Sequence, residues 1–455
     1  METRSTGIPG FDEILGGGMI VPSTILIAGN PGSGRTTMGI QSLCEAAKSG
    51  EKVLYICITT KSESSVRENL ASYDFYEEAL NIHTFSISSV ERDPLTMLVE
   101  LGNYVASFKP DRILIDPVTP IGFVFAEAER RRFMYSLHAA IGEWNAIVYL
   151  TGTMSQDEVC RSVISDMVDG IVYLSQDIQR RGNQRIIKIM KMNRPDYLEG
   201  EHTFDISNKG VIIYPRTTSK DTEEPAVIER IDVGIKGFEE LSRGGLFKHS
   251  STLIAGNTGT GKTLFGLHFI IHGALNGEPG VISSFEDSPA ELRRYAASVG
   301  LGLEELEQQG MIKTIYTPSS EINAGRHANE LQESMEEIGA KRVLLDDISG
   351  FDYAFGDAVA KKEHMASLIR LFKKMGATSI LISGSGTATS NVLTSEIPLS
   401  PQADVLIVLK NVEMDNTIKK TMSILKMHGS DHEKRLVAYN IDSEGIHISD
   451  LLMGT

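Results

Sequence analysis

Short apolar runs rich in β-branched residues recur along the chain, each followed by a longer stretch with helical spacing. The first half contains Thr24–Ala28, Lys52–Ile58, Arg112–Ile115, Ala146–Leu150 and Gly170–Leu174. The second contains Thr252–Ala255, Gly280–Ser284, Arg342–Leu345, Thr378–Ile382 and Val405–Leu409. Continuous apolar strands separated by helices predict a parallel sheet covered on both faces. Each half then closes with two more extended runs, Arg185–Met192 with Val211–Tyr214 and Thr421–Met427 with Gly445–Ile448. These predict an antiparallel hairpin extending each sheet. The expected fold class is α/β, built twice.

The two halves are copies of one pattern. Thr6-Gly7-Ile8-Pro9-Gly10-Phe11-Asp12 returns as Val233-Gly234-Ile235-Lys236-Gly237-Phe238-Glu239, and Thr24-Ile25-Leu26-Ile27-Ala28-Gly29-Asn30 returns as Ser251-Thr252-Leu253-Ile254-Ala255-Gly256-Asn257. Gly10 and Gly237 differ by 227 positions, as do Gly29 and Gly256. A constant offset across gaps marks an internal repeat. The polar stretch from Tyr214-Pro215-Arg216 to Glu223-Glu224-Pro225-Ala226 has a proline near each end and reads as a linker. Residues 1–214 and 230–455 are therefore expected to be domains, joined by 215–229.

Composition narrows the function classes. The 455 residues are 41% hydrophobic, enough to offset chain entropy and exclude general disorder. With 44 Lys+Arg against 60 Asp+Glu, the net charge is −16. That balance argues against nucleic acid as the main partner, since phosphate neutralisation needs clustered basic residues. Three cysteines, Cys44, Cys57 and Cys160, are too few for a disulfide framework or zinc cluster. No apolar run approaches the roughly 18 residues of a membrane span, and Met1–Ser5 opens no signal segment, so a cytoplasmic location is expected.

The chemistry starts at Gly256-Asn257-Thr258-Gly259-Thr260-Gly261-Lys262-Thr263, a full phosphate-loop pattern between a strand and a helix. The glycines let backbone amides close around phosphate oxygens, with the helix N-terminus adding a favourable dipole. Lys262 suits the β- and γ-phosphates of a nucleotide such as ATP, and the Thr263 hydroxyl suits Mg²⁺. The first half carries Gly29-Asn30-Pro31-Gly32-Ser33-Gly34-Arg35-Thr36, with arginine in the lysine position. Its planar fork keeps the charge but cannot act as a compact point charge. Nucleotide binding is expected to survive there and turnover to suffer.

Acidic partners follow the same asymmetry. Strand-end Asp346 and Asp116 are candidates to hold Mg²⁺ with Thr263 and Thr36. Phe285-Glu286-Asp287-Ser288-Pro289 puts two carboxylates just after a strand; alternation points only one at the γ-phosphate, and Glu286 is the expected base. In the first half that register holds Thr59-Thr60, neither of them a useful base.

Together these segments, with Lys426-Met427-His428-Gly429, resemble the double-domain KaiC proteins of the RecA superfamily over nearly the whole chain. The resemblance implies two tandem RecA-like P-loop NTPase domains, a ring-shaped homo-oligomer, normally a hexamer, and ATP between neighbouring subunits. The family's paired catalytic glutamates fall on Glu286 and Asp287. Its Lys-x-Arg-Gly hairpin, which reaches the neighbour's γ-phosphate, falls on Lys426, with His428 in place of the arginine. In the first half Lys191 matches and Asn193 does not. The family's serine–threonine phosphorylation pair falls on Ser400-Pro401, leaving Ser400 as the candidate phosphosite. The chain ends at Thr455, soon after the final extended run, so the long tail of the clock proteins is not matched and an oscillator role is not expected.

The implied activity is that of a Mg²⁺-dependent ATPase with Ser/Thr autokinase capacity. The alternatives are a nucleotide-gated assembly scaffold with unidentified protein partners and, third, a RecA-like recombinase or helicase. His428 and His432 are four apart but belong to an extended segment, where that spacing does not make a metal site. Glu129-Arg130-Arg131-Arg132 reads as a solvated helix face and Cys57 as core. Thr151 and Ser383 follow the fourth strand of each half, placed where a hydroxyl could sense the γ-phosphate.

Overall fold

The computed structural model describes residues 2–118, 127–177, 184–194, 196–216, 229–355, 358–384, 402–414 and 417–451. Its contacts divide the chain into two compact units, with the division after Arg216. Most of the expected linker, 217–228, lies outside the described residues.

In the first unit a nine-stranded sheet runs in the spatial order Gly210–Tyr214, Glu201–Ser207, Gln184–Met192, Gly170–Asp177, Ser23–Gly29, Ile147–Thr153, Arg112–Asp116, Val53–Thr59, Asn81–Ser86. The second repeats that order strand for strand: Gly445–Leu451, Val437–Asp442, Thr417–Met427, Val405–Met414, Ser251–Gly256, Thr378–Gly384, Arg342–Asp346, Gly280–Ser284, Ile312–Tyr316. From Gly170–Asp177 to Asn81–Ser86, and from Val405–Met414 to Ile312–Tyr316, neighbours are parallel. The strands beyond are antiparallel.

Alternation along the central strands builds two cores per unit. Ile25 and Ile27 pack in one apolar cluster and Leu26 and Ala28 in another, while Ile254 is separated in the same way from Leu253 and Ala255. Successive side chains leave opposite faces of a strand, so the sheet is covered on both sides. The α/β architecture is as the apolar runs imply.

Two details differ from the sequence reading. The expected terminal hairpins are interrupted: Glu201–Ser207 lies between Gln184–Met192 and Gly210–Tyr214, pairing with both, and Val437–Asp442 is inserted likewise. Glu201–Ser207 alternates polar residues with buried His202 and Phe204, which gives no continuous apolar run. The fourth strands also run on to Thr153 and Gly384, so Thr151 and Ser383 lie within strands rather than after them. They are not equivalents, since Thr151 is level with Ile27 and Ser383 with Ala255, one residue beyond Ile254.

Candidate functional site

Each phosphate loop joins the central strand to a helix, Arg35–Lys48 or Lys262–Leu275. The residues immediately before these helices, Gly34 and Gly261, have φ of 97° and 88°, a left-handed geometry that favours glycine. A side chain at either would also strike Ile206 or Ile441 beneath. The loops are fastened from the antiparallel strands. Lys420 Nζ donates to the Gly259 carbonyl and Tyr439 Oη to that of Thr260. In the first unit Arg185 Nη1 donates to Gly32 O at 2.9 Å. Arg185 and Lys420 hold equivalent registers, paired with Gln176 and Asn411, and the sequence reading missed both. Their signal was a basic residue at one position of each copy of the repeat.

In the second unit Lys262 Nζ folds over the loop onto Asn257 O at 3.2 Å. Thr263 hydrogen-bonds Asp346, which is 5% exposed. Burial, aided by the charges of Asp347 and Asp287, pushes the Asp346 carboxyl up to about 7. Its Oδ2 is buried with no hydrogen-bond partner. A buried carboxylate oxygen without a partner beside a threonine hydroxyl is the donor set that a hard cation takes. Thr263 and Asp346 therefore fit Mg²⁺.

The two adjacent carboxylates diverge. Phe285 is buried, donates its amide to Asp346 O at 2.9 Å, and packs on Phe351 with ring centroids 4.8 Å apart. Ser288 starts the next helix through a reciprocal capping box with Glu291. Between these anchors, Glu286 is raised above the usual carboxylate range by burial and by Asp347 and Asp287, with Lys262 opposing. Asp287 is raised by burial and accepts from Tyr295 Oη at 3.3 Å. Glu286 thus shares the field of the phosphate-loop lysine, and Asp287 is engaged by its own helix.

The first unit brings a different set together. Arg35 is partly buried, which lowers its pKa against the opposing charge of Asp116. Asp116 accepts from Thr36 Oγ1 at 3.1 and 3.0 Å, from Tyr55 Oη at 3.1 Å and from Thr151 Oγ1. With Thr151 on Oδ1, Tyr55 on Oδ2 and Thr36 bridging the two, neither oxygen is left without a partner, and this donor set fits a divalent cation less well than the Asp346 set does. Thr59, which holds the register of Glu286, pairs with Ser86 at the end of its strand.

Lys426 and Lys191 also hold equivalent registers, each beside a bulge, paired with Leu406 and Ile171. Lys426 Nζ donates to Ala403 O at 2.6 Å and Lys191 Nζ to Ser165 O at 3.0 Å. Neither hydrogen bond is to its own phosphate loop. Ser400 lies outside the described residues. Among the described residues no cluster of metal-ligating side chains forms around His428 and His432, and no helix is long and apolar enough to cross a membrane. Cys57 is a core residue and Arg131 and Arg132 are exposed.

Two strand–phosphate-loop–helix units with strand-end carboxylates define a tandem P-loop nucleoside triphosphatase of RecA-like fold. The family model described as the ATPase KaiC matches residues 4–218 and 231–452, and the chain belongs to that family. It is similar to the circadian clock oscillator protein KaiC of Parathermosynechococcus lividus, at 28% identity over 99% of this chain and 86% of that protein. It is 26% identical to the circadian clock protein KaiC3 of Synechocystis, over 98% of this chain and 92% of the relative. The KaiC of Nostoc is also 26% identical, over 99% and 89%.

Proposed function

We propose that the chain is a Mg²⁺-dependent ATPase whose turnover resides in the second unit, while the first binds nucleotide with little or no hydrolysis. The observation that carries this reading is the joint placement of Glu286, Lys262 and the orphaned Asp346 Oδ2 around one phosphate loop. Lys262 leaves the Asn257 carbonyl to pair with the β- and γ-phosphates held by the amides from Asn257 to Thr263. Thr263 and Asp346 hold Mg²⁺, which when bound neutralises charge on the transferring phosphoryl group. Glu286 accepts a proton from the attacking water; its raised basicity suits that task better than an ordinary glutamate. Asp287 supports it through the shared field. Lys426 acts on a neighbouring subunit's nucleotide in a homo-oligomeric, normally hexameric, ring. Autophosphorylation at Ser400 belongs to the same proposal and is read from the intact mass of the chain after incubation with ATP.

Steady-state phosphate release by the purified chain, with and without Mg²⁺, tests the reading, and release no faster than from a Lys262→Ala variant overturns it. That outcome would favour a nucleotide-gated scaffold that assembles protein partners. Thr59-Thr60 in place of carboxylates and His428 in place of the family arginine support this second reading.

A further inference from the structure

Tyr55, Asp116 and Thr151 come from three adjacent strands of the first sheet. Asp116 Oδ1 accepts from Thr36 and Thr151, and Oδ2 from Thr36 and Tyr55. A carboxylate offers about four lone-pair sites; Tyr55 and Thr151 each take one, and the single Thr36 hydroxyl bridges both oxygens. The Tyr55 phenol is the donor and the carboxylate the acceptor, since an ionised carboxylate can only accept. The repeat supplies an internal control. Tyr55 is level with Leu114 as Ile282 is with Leu344, and Thr151 is level with Ile27 as Ile382 is with Ile254. Both replacements are fully buried aliphatics, which leave Asp346 Oδ2 without a partner.

We propose that the first phosphate loop takes its nucleotide without a divalent cation: Tyr55 and Thr151 occupy the carboxylate that would serve the metal, and Arg35 supplies the positive charge at the phosphates. A guanidinium suits this role, because it stays charged when partly buried and can grip one phosphate through two N–H groups. The ligand is a nucleoside di- or triphosphate, retained rather than hydrolysed, since phosphoryl transfer relies on the metal to neutralise developing charge. The inference rests on the reading that the first loop binds nucleotide at all.

The test titrates the full chain carrying Lys262→Ala with methylanthraniloyl-ADP, once in Mg²⁺ and once in EDTA. The dissociation constants are expected to agree within about twofold, whereas an Arg35→Ala chain, reporting the second site, should weaken at least about tenfold in EDTA. Binding by the Lys262→Ala chain that needs Mg²⁺ overturns the inference and keeps the first loop as a nucleotide site. No binding in either buffer removes both. The double change Tyr55→Phe and Thr151→Val should make the first site prefer Mg²⁺ by at least about fivefold, and an unaltered profile denies the hydroxyls their role. Electron paramagnetic resonance of Mn²⁺ on the unaltered chain with ADP needs no variant: one tightly held ion per chain is expected, and two overturn the proposal.

Discussion

Ser283 Oγ and His327 Nε2 lie 2.8 Å apart in the interior of the second unit, where the imidazole packs against Phe285 and Phe351 at centroid distances of 5.0 and 5.3 Å. Phe285 is the residue before Glu286, so this buried contact underlies the Glu286-Asp287 segment. Burial, with the neighbouring His364 adding in the same direction, pushes His327 down to about 3.

A depressed histidine makes acid destabilising. Above the ordinary value of 6.5 both folded and unfolded chains carry a neutral ring, and the fold keeps its full stability. As pH falls from 6.5 toward 3 only the unfolded chain gains the proton, so stability drains through that window. The loss from this group at pH 5 is on the order of 2 kcal/mol. Urea unfolding of the second unit at pH 7.5 and pH 5 should show a smaller difference for His327→Phe than for the unaltered chain. Equal differences would count against the assignment.

Glu286→Gln is expected to leave nucleotide occupancy unchanged and to lower phosphate release by about 10²–10⁴-fold, the range for a lost general base. Asp287→Asn should cost less, because Asp287 is held by Tyr295. Equilibrium binding beside single-turnover hydrolysis separates the two effects. The pH–rate profile of the unaltered chain should have an acid limb above the usual glutamate range, since burial and acidic neighbours raise Glu286.

Lys426→Ala should reduce turnover without reducing bound nucleotide. If the lysine serves a neighbour, mixing Lys426→Ala chains with Glu286→Gln chains restores activity at interfaces that carry neither defect, about one quarter in an equimolar random ring. If it serves its own loop, every site carries a defect and the mixture stays inactive.

Arg342 is 3% exposed at its side chain, pairs with Glu278 at 2.7 Å and donates to the carbonyls of Asp232 and Phe269. Arg112 repeats the arrangement with Glu51 and the Ser5 carbonyl. Each arginine ties the entry segment of its unit to the strand that ends in Asp346 or Asp116. Arg342→Met keeps an unbranched apolar stem but removes the guanidinium over Phe269 and strands the carboxylate and two carbonyls, at a cost of about 3 kcal/mol. Urea unfolding measures this directly, and a change below about 1 kcal/mol would refute the account.

Much of this was open to reading from the residues in order. Continuous apolar runs such as Thr252–Ala255 reveal parallel strands, because a strand covered on both faces tolerates little else. The phosphate loops and Asp346 stand out because their chemistry is local: glycines, a cation and a hydroxyl must be consecutive to surround one phosphate. Glu201–Ser207 escaped notice because its polar and buried residues alternate.

The hydroxyls around Asp116 are another matter. Tyr55 and Thr151 lie 61 and 35 positions from it, and nothing in either neighbourhood marks them as partners. Sheet order makes them adjacent, with their strands flanking Arg112–Asp116 in register. Local pattern dictates which strands and loops form, whereas the free lone pairs of a carboxylate depend on side chains that meet only after distant strands pair.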